Sequence, residues 1–99
     1  MNKTLTPVQI EDVLRANPAW KMNDGKLERE STFNDFAEAM AFVNRVAALA
    51  EAANHHPDID IRYNKVLLSL VSHDAGGITQ RDADMATRIS AELDNLGKA

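Results

Sequence analysis

Apolar residues recur along this chain with two different periods. In LTPVQIEDVLRAN, Ile10, Val13 and Leu14 share the spacing of one helix face. Thr6 suits the N-cap, Pro7 the first helical position, and Gln9 completes a capping box. Leu5 is placed to staple against Ile10. Asn17-Pro18 ends the helix, because the residue before a proline is pushed out of the α region. The helical period returns in NDFAEAMAFVNRVAALAEAA, from Asn34 to Ala53, through Phe36, Met40, Val43, Val46 or Ala47, and Ala50. Phe42 and Leu49 add a second, weaker stripe, so burial on more than one side is expected. Asn34 is read as the N-cap, with Asp35 in the first turn. A last helix opens on Thr79, carries Asp82 at its third position, and sets Ala86, Ile89, Leu93 and Leu96 on one face.

Between these helices the period falls to two. Asp24-Gly25 is a strong two-residue hairpin signal, since both central residues of a type I′ turn need positive φ. That turn sets Met22 opposite Leu27, Lys21 opposite Glu28 and Trp20 opposite Arg29. DIDIRY and KVLLSLV form a second hairpin around Asn64-Lys65. The order is α-β-β-α-β-β-α. Strands arriving in hairpins give an antiparallel sheet, so the class is α+β: four strands with three helices packed on one face.

At 99 residues the chain fits one domain, 1–99, and 44% apolar content supports a modest core that self-association would help. A net charge of −4 argues against nucleic acid or an anionic membrane as the main partner. Without cysteine there is no disulfide, thiolate nucleophile or Cys-ligated metal. MNKTLTPVQI has no apolar leader, and no apolar run approaches the ~20 residues of a membrane span. The expectation is a soluble cytoplasmic protein.

Candidate chemistry concentrates in NHHPDIDIRYNKVLLSLVSHD, residues 54–74, which holds all 3 histidines. With Asn64-Lys65 at the turn, Ile61 faces Leu68, Ile59 faces Leu70 and Tyr63 faces Val66, which makes Tyr63 a hairpin packing residue. Asp60 meets Ser69, Asp58 meets Val71, and at the open end His56 falls opposite His73. His55 lies at the helix end, where Glu51 is its i−4 neighbour and can orient the ring. Three readings fit: ordinary structural histidines, a metal site completed by Glu51 or Asp74, or acid–base catalysis. Adjacent histidines diverge in direction, which disfavours the metal.

The spacing Glu51, His55-His56-Pro57, Tyr63, His73, Asp82 resembles the signature of the pterin-4a-carbinolamine dehydratases. Phe33-Asn34-Asp35-Phe36, Tyr63-Asn64-Lys65-Val66, Ser72-His73-Asp74-Ala75-Gly76-Gly77 and the position of Trp20 extend the resemblance from Leu5 to the last helix. It implies a four-stranded, three-helix α+β fold and loss of water from a 4a-hydroxytetrahydropterin to give the quinonoid dihydropterin, after turnover of an aromatic amino-acid hydroxylase. It implies no cofactor and a homodimer or homotetramer. Applied to this chain, it makes His55, His56 and His73 the acid–base set, with His56 and His73 as the favoured pair. Glu51, Asn54, Val71, Ser72, Asp74, Trp20 and Asp82 become candidate substrate contacts. Trp20 and Asp82 have competing uses, in core packing and helix capping. Ile59 stands where many members have an aromatic residue, and Asn54 where many have Asp. The family's transcription-factor partnership has no counterpart visible in this sequence. A non-catalytic oligomerisation or partner-binding module of the same fold is the rival.

Overall fold

Seven elements form in the computed structural model, which describes residues 3–97. They are α1 (Pro7–Ala16), β1 (Lys21–Asn23), β2 (Lys26–Thr32), α2 (Phe36–Ala53), β3 (Asp58–Arg62), β4 (Lys65–Leu70) and α3 (Gln80–Asn95). The strands pair antiparallel in the order β1-β2-β4-β3, so α2 carries the chain from one hairpin to the other. This is the α+β architecture that the two periods imply.

Alternation decides the faces of the sheet. The pairs Leu27↔Leu70, Arg29↔Leu68 and Ser31↔Val66 bring the buried residues of the two central strands together. Glu28↔Ser69, Glu30↔Leu67 and Thr32↔Lys65 share the opposite face. Helix α2 buries Ala39, Phe42, Val43, Val46 and Ala50, and α3 buries Ala83, Met85, Ala86, Ile89 and Leu93. The Phe33 and Phe42 rings meet with centroids 5.1 Å apart. At the N-terminus, the Thr6 and Gln9 capping box forms as expected, and the Leu5 amide donates to the Ile78 carbonyl at 2.7 Å.

Several local expectations are corrected. Asp35, not Asn34, is the N-cap of α2, because Asp35 is extended and its carboxylate accepts from the Glu38 amide at 2.8 Å. Asn34 instead donates its amide to the Glu38 carboxylate at 3.0 Å. The expected stripe holds at Val43, Val46 and Ala50 but not at its N-terminal end. Phe42 sits at the centre of the buried face, while Phe36 is exposed and Met40 half-buried. Leu96 caps the end of α3 and is exposed.

The first hairpin has the expected register, Lys21↔Glu28 and Met22↔Leu27, with Asp24 and Gly25 both at positive φ. Trp20 lies outside the ladder, so it does not pair with Arg29. The second hairpin turns at Tyr63-Asn64, not Asn64-Lys65, and pairs Ile61↔Val66, Ile59↔Leu68 and Asp58↔Ser69. That is two residues from the expected register. A two-residue shift leaves each side chain on its own face, so hydrophobic alternation cannot distinguish the two. Docking of the turn does. The Asn64 side chain donates to the Phe33 carbonyl at 2.9 Å, and the Asn64 carbonyl accepts from the Phe33 amide at 2.8 Å. Tyr63 is consequently not a packing residue. It is 65% exposed, with φ of 53°.

A bulky residue in the left-handed region carries a cost that Asn largely avoids. Tyr63→Asn is expected to stabilise the fold by about 1 kcal/mol, read as a higher urea midpoint at unchanged slope.

Candidate active site

The site begins with how α2 stops. Asn54 adopts φ 50° and ψ 43°, a left-handed cap that a short polar side chain tolerates. The Asn54 amide reaches the Glu51 carbonyl at 3.3 Å and the His55 amide reaches the Ala50 carbonyl at 3.1 Å, the two bonds of a Schellman motif. The chain then runs extended into Pro57, and successive side chains take opposite directions. His55 turns inward and is buried, while His56 remains exposed.

This corrects the expected Glu51 pairing. His55 is beyond the helix, so the i−4 relation does not apply to it. His56 Nε2 meets Glu51 Oε2 at 2.5 Å instead, and His55 Nε2 meets Asp82 Oδ1 at 2.6 Å.

Asp82 is completely buried at the third position of α3. Its Oδ2 accepts from the Thr79 amide at 2.9 Å and the Ser72 hydroxyl at 2.8 Å. Ser72 has one proton and gives it to Asp82, so the 2.8 Å Ser72–Thr79 contact is a bond donated by Thr79. Two donors on Oδ2 and the positive end of α3 compensate the buried carboxylate, and Oδ1 takes Nε2–H of His55. In the neutral ring, that assignment leaves Nδ1 as the acceptor. Capping of α3 and the bond to His55 are therefore one arrangement.

His73 follows Ser72 in the tight turn closed by the Ser72↔Gly77 bridge. The register correction removes its expected opposition to His56: β3 starts at Asp58, β4 ends at Leu70, and the ladder reaches neither histidine. What links the His73 turn to His55 is the Ser72–Asp82–His55 chain. A second tether lies one residue away, where Arg81 Nη2 donates to Asp74 Oδ1 at 2.6 Å. That hydrogen bond holds the Asp74 carboxyl below its ordinary value. Arg81 was not legible as a site residue, since nothing in its spacing marks it.

Val71 is half-buried between β4 and the turn. Trp20 is placed elsewhere. It is 2% exposed in the core, and its Nε1 donates to the Ser90 hydroxyl at 3.2 Å. Ser90 lies roughly 12 Å along α3 from Asp82. A pocket of about 180 Å³ adjoins His55, walled by Ala53, Arg81, Asp84, Met85 and Arg88. Among the described residues, no group of three or more His, Asp or Glu side chains is arranged to hold a metal ion.

Comparison with known proteins gives a consistent result. Residues 3–92 match the family model described as pterin 4 alpha carbinolamine dehydratase. A protein of Acidobacterium capsulatum, provisionally named a pterin-4-alpha-carbinolamine dehydratase, is 60% identical over 89 residues, covering 90% of this chain and 97% of its own. A crystal structure described as a transcriptional coactivator/pterin dehydratase from Brucella melitensis superposes with a TM-score of 0.85 at 34% identity, covering 90% of this chain and 97% of that one. A more distant structure, of a pterin dehydratase-like protein identified as a RuBisCO assembly factor in the alpha-carboxysome, gives a TM-score of 0.59 at 25% identity, covering 73% and 83%.

Two outcomes are expected from this geometry. Asp82→Ala strands three buried donors and should cost on the order of 3 kcal/mol in urea unfolding, with Asp82→Asn intermediate. The Asp74 carboxyl has a depressed folded value, so its tether contributes above the ordinary carboxylate value of about 3.9 and is lost as pH falls through the depressed one. Amide exchange at Ala75 to Gly77 should accelerate over that acid range, and Asp74→Asn should accelerate it already at neutral pH.

Proposed function

The chain belongs to the pterin 4 alpha carbinolamine dehydratase family, and from that premise we propose that it eliminates water from a 4a-hydroxytetrahydropterin by histidine acid–base catalysis. The observation that carries this reading is the buried Asp82 carboxylate, which joins the end of α2, bearing His55 and His56, to the turn bearing His73.

The reaction needs two proton transfers. An acid protonates the C4a hydroxyl as the C4a–O bond breaks and water leaves. A base removes the N5 proton, and the N5–H electron pair becomes the second bond of C4a=N5. Acid and base of nearly matched strength suit imidazoles at neutral pH. His56, oriented by Glu51, and His73, on the tethered turn, exchange these protons. His55 is fixed by Asp82 and presents Nδ1 as an acceptor for the flat pterin. Asn54, Val71, Ser72 and Asp74 shape the surrounding backbone, with many hydrogen-bond edges available to a pterin.

The product would return to an aromatic amino-acid hydroxylase cycle in the cytoplasm. Exposed Phe36 on α2 and Ile59 on the edge strand β3 support homo-oligomer contacts through helix and strand. Among the described residues, no helix is long and apolar enough to cross a membrane.

The test is a coupled assay in which a phenylalanine hydroxylase generates the carbinolamine and its loss is followed by ultraviolet absorbance. The folded chain should accelerate dehydration above the spontaneous rate. His56→Ala combined with His73→Ala should lower that acceleration by about 10²-fold or more while leaving the unfolding midpoint nearly unchanged. Folded protein without acceleration would overturn the catalytic reading and favour a partner-binding role of the kind named for the carboxysomal relative.

A further inference from the structure

A second pocket, of about 390 Å³, lies at the other end of α3, between the end of α1 and the inner face of the sheet. It is larger than the one beside His55 and within the range of small-molecule sites. Its lining includes Arg29, an uncommon residue for that position. Arg29 projects from β2 onto the apolar face, opposite Leu68, and is 5% exposed. Buried cations are normally paired with a carboxylate. Arg29 takes part in no ion pair among the described residues. Its Nη1 donates to the Ser90 hydroxyl at 3.2 Å, an acceptor shared with the Trp20 indole N–H, and its sealed Nε finds no acceptor. Burial pushes the guanidinium below its usual value, and Asp94 partly restores it.

Asp94 lines the same pocket from α3, one turn beyond Ser90, and is exposed. The two charges are near enough to influence each other, yet they are not joined. Ala16, Pro18 and Ala19 supply an uncharged wall alongside them. A simple anion reaching Arg29 would face Asp94, and a simple cation at Asp94 would face Arg29. A molecule carrying both charges would satisfy both.

We propose that this pocket binds a small zwitterion of the amino-acid class, with its carboxylate on the terminal nitrogens of Arg29, its ammonium on Asp94, and an aliphatic side chain against Ala16, Pro18 and Ala19. The site is independent of the three histidines and of the reaction proposed for them. Arg29 also gains the charged acceptor that its burial otherwise denies it.

The chain has a single tryptophan, and its indole shares Ser90 with Arg29, so it reports on the pocket. The experiment is an NMR titration of the full chain, following the Trp20 indole N–H, with L-leucine, 4-methylpentanoate and 3-methylbutylamine. Leucine should give a saturable shift. Each single-charge analogue should bind weaker by about tenfold or more. In Asp94→Asn, 4-methylpentanoate should bind as well as leucine, because the ammonium has lost its partner. Arg29→Gln should abolish both responses. Should Arg29→Gln fail to fold, the analogue series and the exposed Asp94 variant still decide. No saturable shift with leucine, or equal binding of leucine and 4-methylpentanoate to the unaltered chain, would overturn the proposal.

Discussion

One buried carboxylate holds the histidine-bearing segments of this molecule together. Asp82 has no contact with solvent, so its charge is tolerable only where protein donors replace water. Those donors come from separate parts of the chain: the Thr79 amide before α3, the Ser72 hydroxyl after β4, and the His55 ring after α2. The charge therefore cannot be satisfied until α2, the second hairpin and α3 have docked. Satisfying it also fixes His55 and places the His73 turn. Stability and site geometry are linked through the same oxygens.

The surrounding devices act on the same end. Beyond the left-handed Asn54 the chain runs extended, and His55 turns inward to Asp82 while His56 turns outward to Glu51. Arg81, the neighbour of Asp82, ties down Asp74. Consecutive residues in the first turn of α3 thus hold both chain segments that carry histidine. The far end of α3 is built differently, with Arg29 and Trp20 sharing Ser90 beneath an open pocket. One helix supports two chemically distinct regions.

Most of the architecture was legible in the sequence because it follows from local rules. The Thr6 and Thr79 capping boxes, the Asp24-Gly25 turn and the alternation of both hairpins each specify structure within a few residues. What was not legible depended on tertiary contact. The register of the second hairpin is set by Asn64 docking on Phe33, which alternation cannot express. Phe42, from the weaker stripe of α2, is fully buried against Phe33, while Phe36 at the start of the helix is exposed. In the candidate site, the expected opposition of His56 and His73 across the ladder does not form. The real connection runs through Asp82, whose capping signature was visible while its bond to His55 was not. The exchange of partners between His55 and His56 follows from the left-handed turn at Asn54 and the extended chain beyond it, which helical periodicity does not express.

The most direct test of this account is a long-range ¹H–¹⁵N correlation spectrum of the native chain. It reads which nitrogen of each histidine carries a proton. If Asp82 anchors the site, His55 shows a single tautomer, protonated at Nε2, with Nδ1 behaving as an acceptor and the Nε2 proton shifted downfield by a strong hydrogen bond. A His55 protonated at Nδ1 alone, or averaging between tautomers like a free surface imidazole, would contradict the arrangement on which the rest depends.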